Sequence, residues 1–242
     1  MKYTRSASPL LFALAVAGCS APGTGGTGSG DGEDVASAET IASAPDTSGF
    51  VEPTLTADEA DAVVASYARL DPEHVVDASL LRRAVLYYDT NKDRLQNPRT
   101  MAIVDFSKNA SKVRFHLIDM ASGAVTEHKV AHGSGSDPNG TGVATHFSDV
   151  DGSHMSSLGF ALGSETFSGT HGRSLRLDGL STTNAHLRPR AIIIHGASYV
   201  NDGPGQTGRS WGCFALDMAV KDEVIDTLKG GALLFAGLEN GG

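Results

Sequence analysis

The chain has 242 residues, of which 40% are hydrophobic and 19% charged, so it can bury a core as one sizeable domain or two small ones. Acidic residues outnumber basic residues by 28 to 19, and the formal charge of -9 gives no basic surface for nucleic acid, which is not expected as a partner. The two cysteines, Cys19 and Cys213, are too few for a disulfide scaffold or a thiolate-rich metal site, so each needs its own explanation.

The N-terminus is typical of an exported protein. Lys2 and Arg5 precede an apolar run over residues 9–17 that is too short to span a bilayer as a helix. Residues 1–18 are therefore predicted to form a signal peptide. An ordinary signal peptide would be cut after Ala17, where small residues fit the cleavage rule.

Cys19 favours a different cleavage. The stretch Val16-Ala17-Gly18-Cys19 resembles the lipobox of bacterial lipoproteins, which implies that Cys19 becomes the lipidated first residue of the mature protein. Several acyl chains on one residue anchor a protein firmly to a membrane. Ser20 after the cysteine resembles the pattern that sorts lipoproteins to the outer membrane, so we expect a lipid-anchored protein at its periplasmic face.

Residues 19–53 are predicted to be a disordered tether, because they are rich in Gly, Ser and Thr and hold almost no large apolar side chain. Nine acidic residues and no Lys or Arg lie between Ser20 and Ala68. Residues 69–242, which follow both the signal peptide and this acidic stretch, have a formal charge of about -2. Such a tether would let an anchored domain reach a nearby cell wall, although a spacer of no particular length is the alternative.

Residues 54–242 are predicted to form the folded domain, which begins with two helices. Thr56-x-x-Glu59 is a capping-box pattern, and the apolar spacing after it predicts a helix that continues to Arg69. A second helix is predicted to begin at Asp77 or Ser79 and to end near Lys92.

After Pro98 the sequence changes to short extended segments separated by Gly, Asp and Asn. One further helix is predicted from about Ala219 to Leu228. This pattern favours an α+β fold that is mainly β, with an antiparallel core and flanking helices. The predicted strands cover residues 101–106, 113–117, 124–131, 160–162, 174–177, 191–195 and 233–236.

A histidine and a cysteine carry the main functional prediction. The apolar run from Arg190 to Gly196 is predicted to be a buried strand that delivers His195 at its end, and Cys213 follows in a Gly-containing turn. A neighbouring His can convert a Cys into the thiolate nucleophile. Gly212 can aim successive backbone N–H groups at the oxyanion that forms on attack. A buried structural Cys and a hydrogen-bonded His remain the alternative.

His195 followed by Ser210-x-Gly212-Cys213 resembles the signature of the L,D-transpeptidase catalytic domain, whose members cross-link peptidoglycan through a cysteine. The chain is most similar to the murein L,D-transpeptidase branch, from about Leu80 to Phe235. It departs from the family pattern at three positions that adjoin the nucleophile: Trp211, Phe214 and Ala215. Further matching segments are residues 87–89, 104–107, 131–133, 152–159, 171–180 and 195–200.

The resemblance implies a β-sandwich-like catalytic fold in which Cys213 is the nucleophile and His195 its base. It implies that Gly212, Ser210 and Gly196 shape the site around the oxyanion. The reaction would be acyl transfer from a peptidoglycan stem peptide through a thioester, with no metal and no cofactor. An L,D-carboxypeptidase that hydrolyses the same bond, or a non-catalytic wall-binding lipoprotein, is the alternative.

Five residues are predicted to bind the substrate. Arg209 adjoins the motif and suits a carboxylate of an acidic stem peptide. His154 and His171 would line the cleft, where they would orient His195 or hold the donor peptide, and a structural role stays open. A zinc site made from these histidines with His195 and Cys213 is less favoured, because no closely spaced ligand pair occurs. The remaining two predicted substrate-binding residues are Trp211 and Arg176.

Overall fold

The computed structural model describes residues 46–239. The predicted signal peptide, Cys19 and most of the predicted tether lie outside these residues. The described part of the tether is in contact with the domain: Phe50 packs against buried apolar side chains, and the Val51 N–H donates to Asn91 Oδ1 over 2.9 Å. Within residues 46–239, no helix is long and apolar enough to cross a membrane.

The described chain contains three α-helices: α1 (Ala57–Ser66), α2 (Ala78–Asn91) and α3 (Lys221–Leu228). The predicted capping box is confirmed, because Thr56 Oγ1 accepts from the Glu59 N–H and the Glu59 carboxylate accepts from the Thr56 N–H. The Asp77 side chain caps α2 by accepting from the N–H groups of the second and third residues of the helix.

Eight strands form one mixed sheet in the order β3-β2-β1-β8-β4-β5-β6-β7. Neighbouring strands run antiparallel except β1 with β8 and β6 with β7, which are parallel. The prediction of a mainly β fold with flanking helices is confirmed. The strands are β1 (Thr100–Asp105), β2 (Phe115–Asp119), β3 (Val125–His128), β4 (Gly159–Gly169), β5 (Gly172–Gly179), β6 (Ile193–Gly196), β7 (Phe214–Leu216) and β8 (Ala232–Gly237).

The sheet is buried on both faces. In β1, Ala102 and Val104 belong to a core cluster that includes side chains of α3, whereas Met101 and Ile103 belong to a second cluster that includes side chains of α2. This alternation is the two-residue period of a strand. Burial of each large apolar side chain contributes about 1.5–3 kcal/mol, so the two clusters hold the helices against the sheet.

The edge of the sheet at β7 is covered by the segment that follows β3. The Ala131 N–H donates to the Ala215 carbonyl over 2.9 Å, and the Ser210 N–H donates to the His132 carbonyl over 3.0 Å. The short turn between Ser210 and β7 is thereby held on both sides by one segment, residues 131–132, that is distant in sequence.

Candidate active site

The parallel pairing of β6 with β7 brings His195 and Cys213 together. His195 is opposite Ala215, and Ile194 is opposite Phe214. If this register continues back by one residue, Cys213 is opposite Ile193. Ile193 lies two residues before His195 on β6. The rise per residue and the strand spacing put their Cα atoms on the order of 8 Å apart, and the register favours the same face of the sheet for both side chains.

His195 is fully buried and has a defined orientation. Its Nδ1 lies 3.0 Å from the Gly196 carbonyl oxygen, to which a neutral imidazole donates. That hydrogen bond places the ring proton on Nδ1, so Nε2 is the nitrogen that can accept a proton. The arrangement suits a general base.

Within the described residues Cys213 is a thiol rather than part of a disulfide, and only 2% of its surface is exposed. Its thiol donates to the Ala191 carbonyl oxygen, with a distance of 3.6 Å from Sγ to O. Ser210 shapes the turn before it: Ser210 Oγ accepts from the Gly212 N–H over 3.1 Å and donates to the Cys213 carbonyl over 2.8 Å. The Gly212 N–H, which was expected to face an oxyanion, is thus directed at the Ser210 hydroxyl.

Ser156 supports the same turn and was not singled out from the sequence. Its hydroxyl accepts from the Gly133 N–H and donates to the Gly212 carbonyl, both over 3.0 Å. The Ser134 N–H adds a bond of 2.7 Å to the Ser210 carbonyl. Ser134 lies beside residues 131–133 and Ser156 lies within residues 152–159, two segments that resemble the family. This resemblance is the signal that could have identified the two serines.

Arg114 and His132 form a buried polar group behind the turn, and this group was not predicted from the sequence. Arg114 is fully buried, and its guanidinium donates to the Val130 carbonyl over 3.0 and 2.7 Å and to His132 Nδ1 over 2.8 Å. Burial lowers the pKa of Arg114 to about 9. Burial, with the charge of Arg114, lowers the pKa of His132 to about 4, so His132 stays neutral near pH 7. This group supports the segment that pairs with both ends of the Ser210–Cys213 turn.

Two of the predicted substrate-binding residues stack on each other. The Trp211 and His154 rings lie 4.5 Å apart with 8° between their planes, and both residues are half-buried. His154 adopts a φ of 53°, and Trp211 lies two residues before Cys213. The pair therefore forms a flat wall beside the proposed nucleophile.

The other predicted residues differ in their surroundings. His171 stacks on His195, with ring centroids 4.0 Å apart. Arg209 is exposed and donates to the backbone carbonyl of Asp137. Arg176 Nε lies 3.2 Å from a Glu165 carboxylate oxygen, and its guanidinium lies 4.2 Å from the Phe167 ring centroid, so its described contacts are with β4.

Gly196, which was predicted to shape the site, has a packing role on the other side of β6. A Cβ at this position would lie 2.2 Å from Lys221 Cδ and 2.7 Å from Met218 Sδ. The missing side chain allows the start of α3 to pack directly on the strand that carries His195.

Among residues 46–239, no three His, Cys, Asp or Glu side chains are grouped so that they could hold a metal ion.

Comparisons with solved structures give distant likenesses. The chain resembles an L,D-transpeptidase from Mycobacterium smegmatis (10% identity, TM-score 0.35, 57% of this chain and 58% of that one) and one from Xylanimonas cellulosilytica (15%, 0.34, 57% and 59%). It also resembles the helical cell shape determining protein Pgp2 from Campylobacter jejuni (12%, 0.37, 58% and 48%). The chain thus spans less than two thirds of each of these proteins.

The family comparison covers more of the chain. No curated protein sequence matches it. The sequence model of the family described as "L,D-transpeptidase catalytic domain" matches residues 72–236, which is more than half of the chain and includes His195 and Cys213. The chain therefore belongs to the L,D-transpeptidase catalytic domain family.

Proposed function

We propose that the chain is a peptidoglycan (murein) L,D-transpeptidase that acts through a cysteine thioester. The observation that supports this most is the position of His195 on β6 and of Cys213 directly before its parallel partner β7, with His195 Nδ1 bonded to the Gly196 carbonyl. This arrangement makes Nε2 the ring nitrogen that can accept the thiol proton, and it fits the membership of the family.

In the first half of the reaction, His195 takes the thiol proton and the Cys213 thiolate attacks the carbonyl carbon between the third residue and the terminal D-alanine of a tetrapeptide stem. The Cys213 N–H stabilises the oxyanion. The C–N bond breaks as the His195 imidazolium gives its proton to the departing amine, so D-alanine leaves and a thioester remains.

In the second half, the amine of a neighbouring stem attacks the thioester. His195 accepts a proton from that amine, a new amide bond forms, and the C–S bond breaks to restore the thiol. The Trp211–His154 wall lies beside this centre and is proposed to contact the stem peptide. Arg209, exposed and beside the motif, is proposed to bind a stem carboxylate.

The test is incubation of the purified full chain with tetrapeptide muropeptides, followed by separation of the products. Cross-linked dimers and released D-alanine are expected. Tripeptides alone would indicate an L,D-carboxypeptidase, and unchanged muropeptides with retained wall binding would indicate a binding protein. The proposal further requires that Cys213→Ala abolishes turnover, whereas the matched variant Cys19→Ala, which removes the other cysteine, retains it.

We also propose that Cys19 carries a lipid anchor and that the domain acts from the periplasmic face of the outer membrane. Residues 1–19 support this through the signal pattern and the resemblance to a lipobox. The mass of the protein extracted from membranes tests it: a chain that begins at an acylated Cys19 is expected, and an unmodified chain that begins at Gly18 would contradict it.

A further inference from the structure

The turn between β4 and β5 lies over the proposed base. Thr170 and His171 form this turn, and the His171 ring stacks on the His195 ring with 4.0 Å between centroids and 25° between planes. β5 pairs antiparallel with β6, with Leu175 opposite Ile194, so the register continues to Ser174 opposite His195, and the His171 ring reaches the imidazole from three residues further along the hairpin. The tip of the hairpin is therefore alongside the imidazole.

The same hairpin is tied to α3 by Arg173. Its two terminal nitrogens donate to the two carboxylate oxygens of Asp226 over 2.7 and 3.1 Å, and one of them lies 3.4 Å from Asp222. A bidentate pair of this kind fixes direction as well as distance. Helix α3 also packs on Gly196, the residue after His195, through Lys221. One helix thus contacts both the hairpin and the strand that carries the base.

We propose that this hairpin is a clamp for the general base, in which Arg173 fixes the hairpin to α3 and His171 is a positioning residue for His195. The inference rests on the roles assigned to His195 and Cys213 in the proposed function. The bond from Nδ1 to the adjacent carbonyl restrains one atom of the imidazole. The stacked ring restrains the plane, which sets the direction of Nε2.

Orientation of a base matters for rate. A general base acts only within hydrogen-bond reach of the proton it takes, and a misplacement of about 1 Å costs on the order of a hundredfold. The role assigned to His171 therefore differs from substrate binding: loss of its ring should lower kcat and the reactivity of the Cys213 thiol, while KM changes little.

Three variants of the full chain separate these roles. His171→Phe keeps a flat ring that can stack, and His171→Gln keeps a polar side chain but removes the ring. Thr170→Ala alters the same turn without touching the stack and is the matched control. For each variant, NMR of the ring nitrogens reports the tautomer of His195, alkylation of Cys213 by iodoacetamide reports thiol reactivity, and kinetics with a tetrapeptide stem separate kcat from KM.

We expect His171→Gln to lose the single Nδ1-protonated form of His195 and to slow both alkylation and kcat about tenfold to a hundredfold. His171→Phe and Thr170→Ala should stay within about threefold of the parent. If His171→Gln keeps the parental tautomer and alkylation rate, the clamp is refuted. A rise in KM alone would instead make His171 a substrate-binding residue. Alkylation and NMR need no stem peptide, so these outcomes stay distinct from a failure of the proposed function.

The link to α3 is tested by Arg173→Gln, with Lys229→Ala as its control. Both variants remove an ion pair of Asp226, but Lys229 directly follows α3, and the side-chain pair that it forms among the described residues is with Asp226 over 2.5 Å. Arg173→Gln should shift His195 in the same direction as His171→Gln and by a smaller factor, whereas Lys229→Ala should not. Equal behaviour of the two variants would contradict the clamp.

Discussion

Gly212 determines the backbone path into the proposed nucleophile. Its φ of 125° lies in a region that residues with a Cβ rarely adopt. A Cβ there would lie 2.7 Å from Ile192 Cδ1 and 2.8 Å from the Met155 carbonyl oxygen. The second contact is with backbone next to Ser156, which itself donates to the Gly212 carbonyl. Any added side chain must therefore displace the group that holds the turn.

Gly212→Ala is predicted to destabilise the fold and to lower turnover. Gly205 is the matched control, because it has the same φ of 125° but a Cβ there would meet nothing within 4 Å. Backbone strain alone should cost Gly205→Ala about 1–3 kcal/mol in the free energy of unfolding. The steric conflict should cost Gly212→Ala about 1–3 kcal/mol more. Urea unfolding and turnover measure both effects, and equal losses with full turnover in Gly212→Ala would contradict this account.

At the scale of elements, the sequence predicts the helices better than the strand pairing. Side-chain capping by Thr56 and Asp77 is local, so the beginnings of α1 and α2 follow from a few adjacent residues. Strand β4 is much longer than the predicted segment, and β7 was not predicted at all. β7 has three residues, and its pairing with β6 depends on a contact across the sheet that no local pattern encodes.

The alternation in β2 shows why the polar group behind the site was missed. Apolar residues at Phe115 and Leu117 favour a half-buried strand with Arg114 and His116 facing water. Both polar residues are fully buried, because the sheet is covered on its two faces and Arg114 has backbone partners there. Burial of the second face depends on helices from distant parts of the sequence.

The candidate site was more predictable than the topology. His195 and Cys213 were identified from residue types and the resemblance, and the structure has His195 on β6 and Cys213 in the residue directly before the neighbouring strand β7. Ser156 lies in a segment that resembles the family but was not identified, since residue type alone does not show that its hydroxyl bonds to two backbone groups. The separate roles of His154 and His171 depend on which ring each one stacks against, which only the fold determines.

For the whole molecule, the charge is unevenly distributed. The nine acidic residues between Ser20 and Ala68 account for most of the formal charge of -9, and residues 69–242 are close to neutral. The stability of the domain should therefore respond to pH mainly through individual buried groups rather than through net repulsion. Two buried histidines are such groups. Desolvation is the main cause that lowers the pKa of both His116 and His132 to about 4.

We predict that the domain loses stability as the pH falls from about 7 to 5. The unfolded chain binds protons on these histidines near pH 6.5, whereas the folded chain does so only near pH 4, so protons favour unfolding between these values. Each histidine contributes a slope of up to about 1.4 kcal/mol per pH unit. Urea unfolding across this range measures the slope. His116→Gln should lower this slope by the amount that corresponds to the uptake of about one proton on unfolding. His146→Gln, at an exposed position, should leave the slope unchanged.

The central claim is that Cys213 forms the covalent bond to the substrate, with His195 as its base. The most direct measurement is the mass of the full chain after incubation with a tetrapeptide donor and no acceptor, followed by mapping of the modified residue. The account predicts one adduct on Cys213 that corresponds to the stem without its terminal D-alanine, and little adduct in a His195→Gln variant. An adduct on another residue, or D-alanine release that persists in Cys213→Ala, would contradict it.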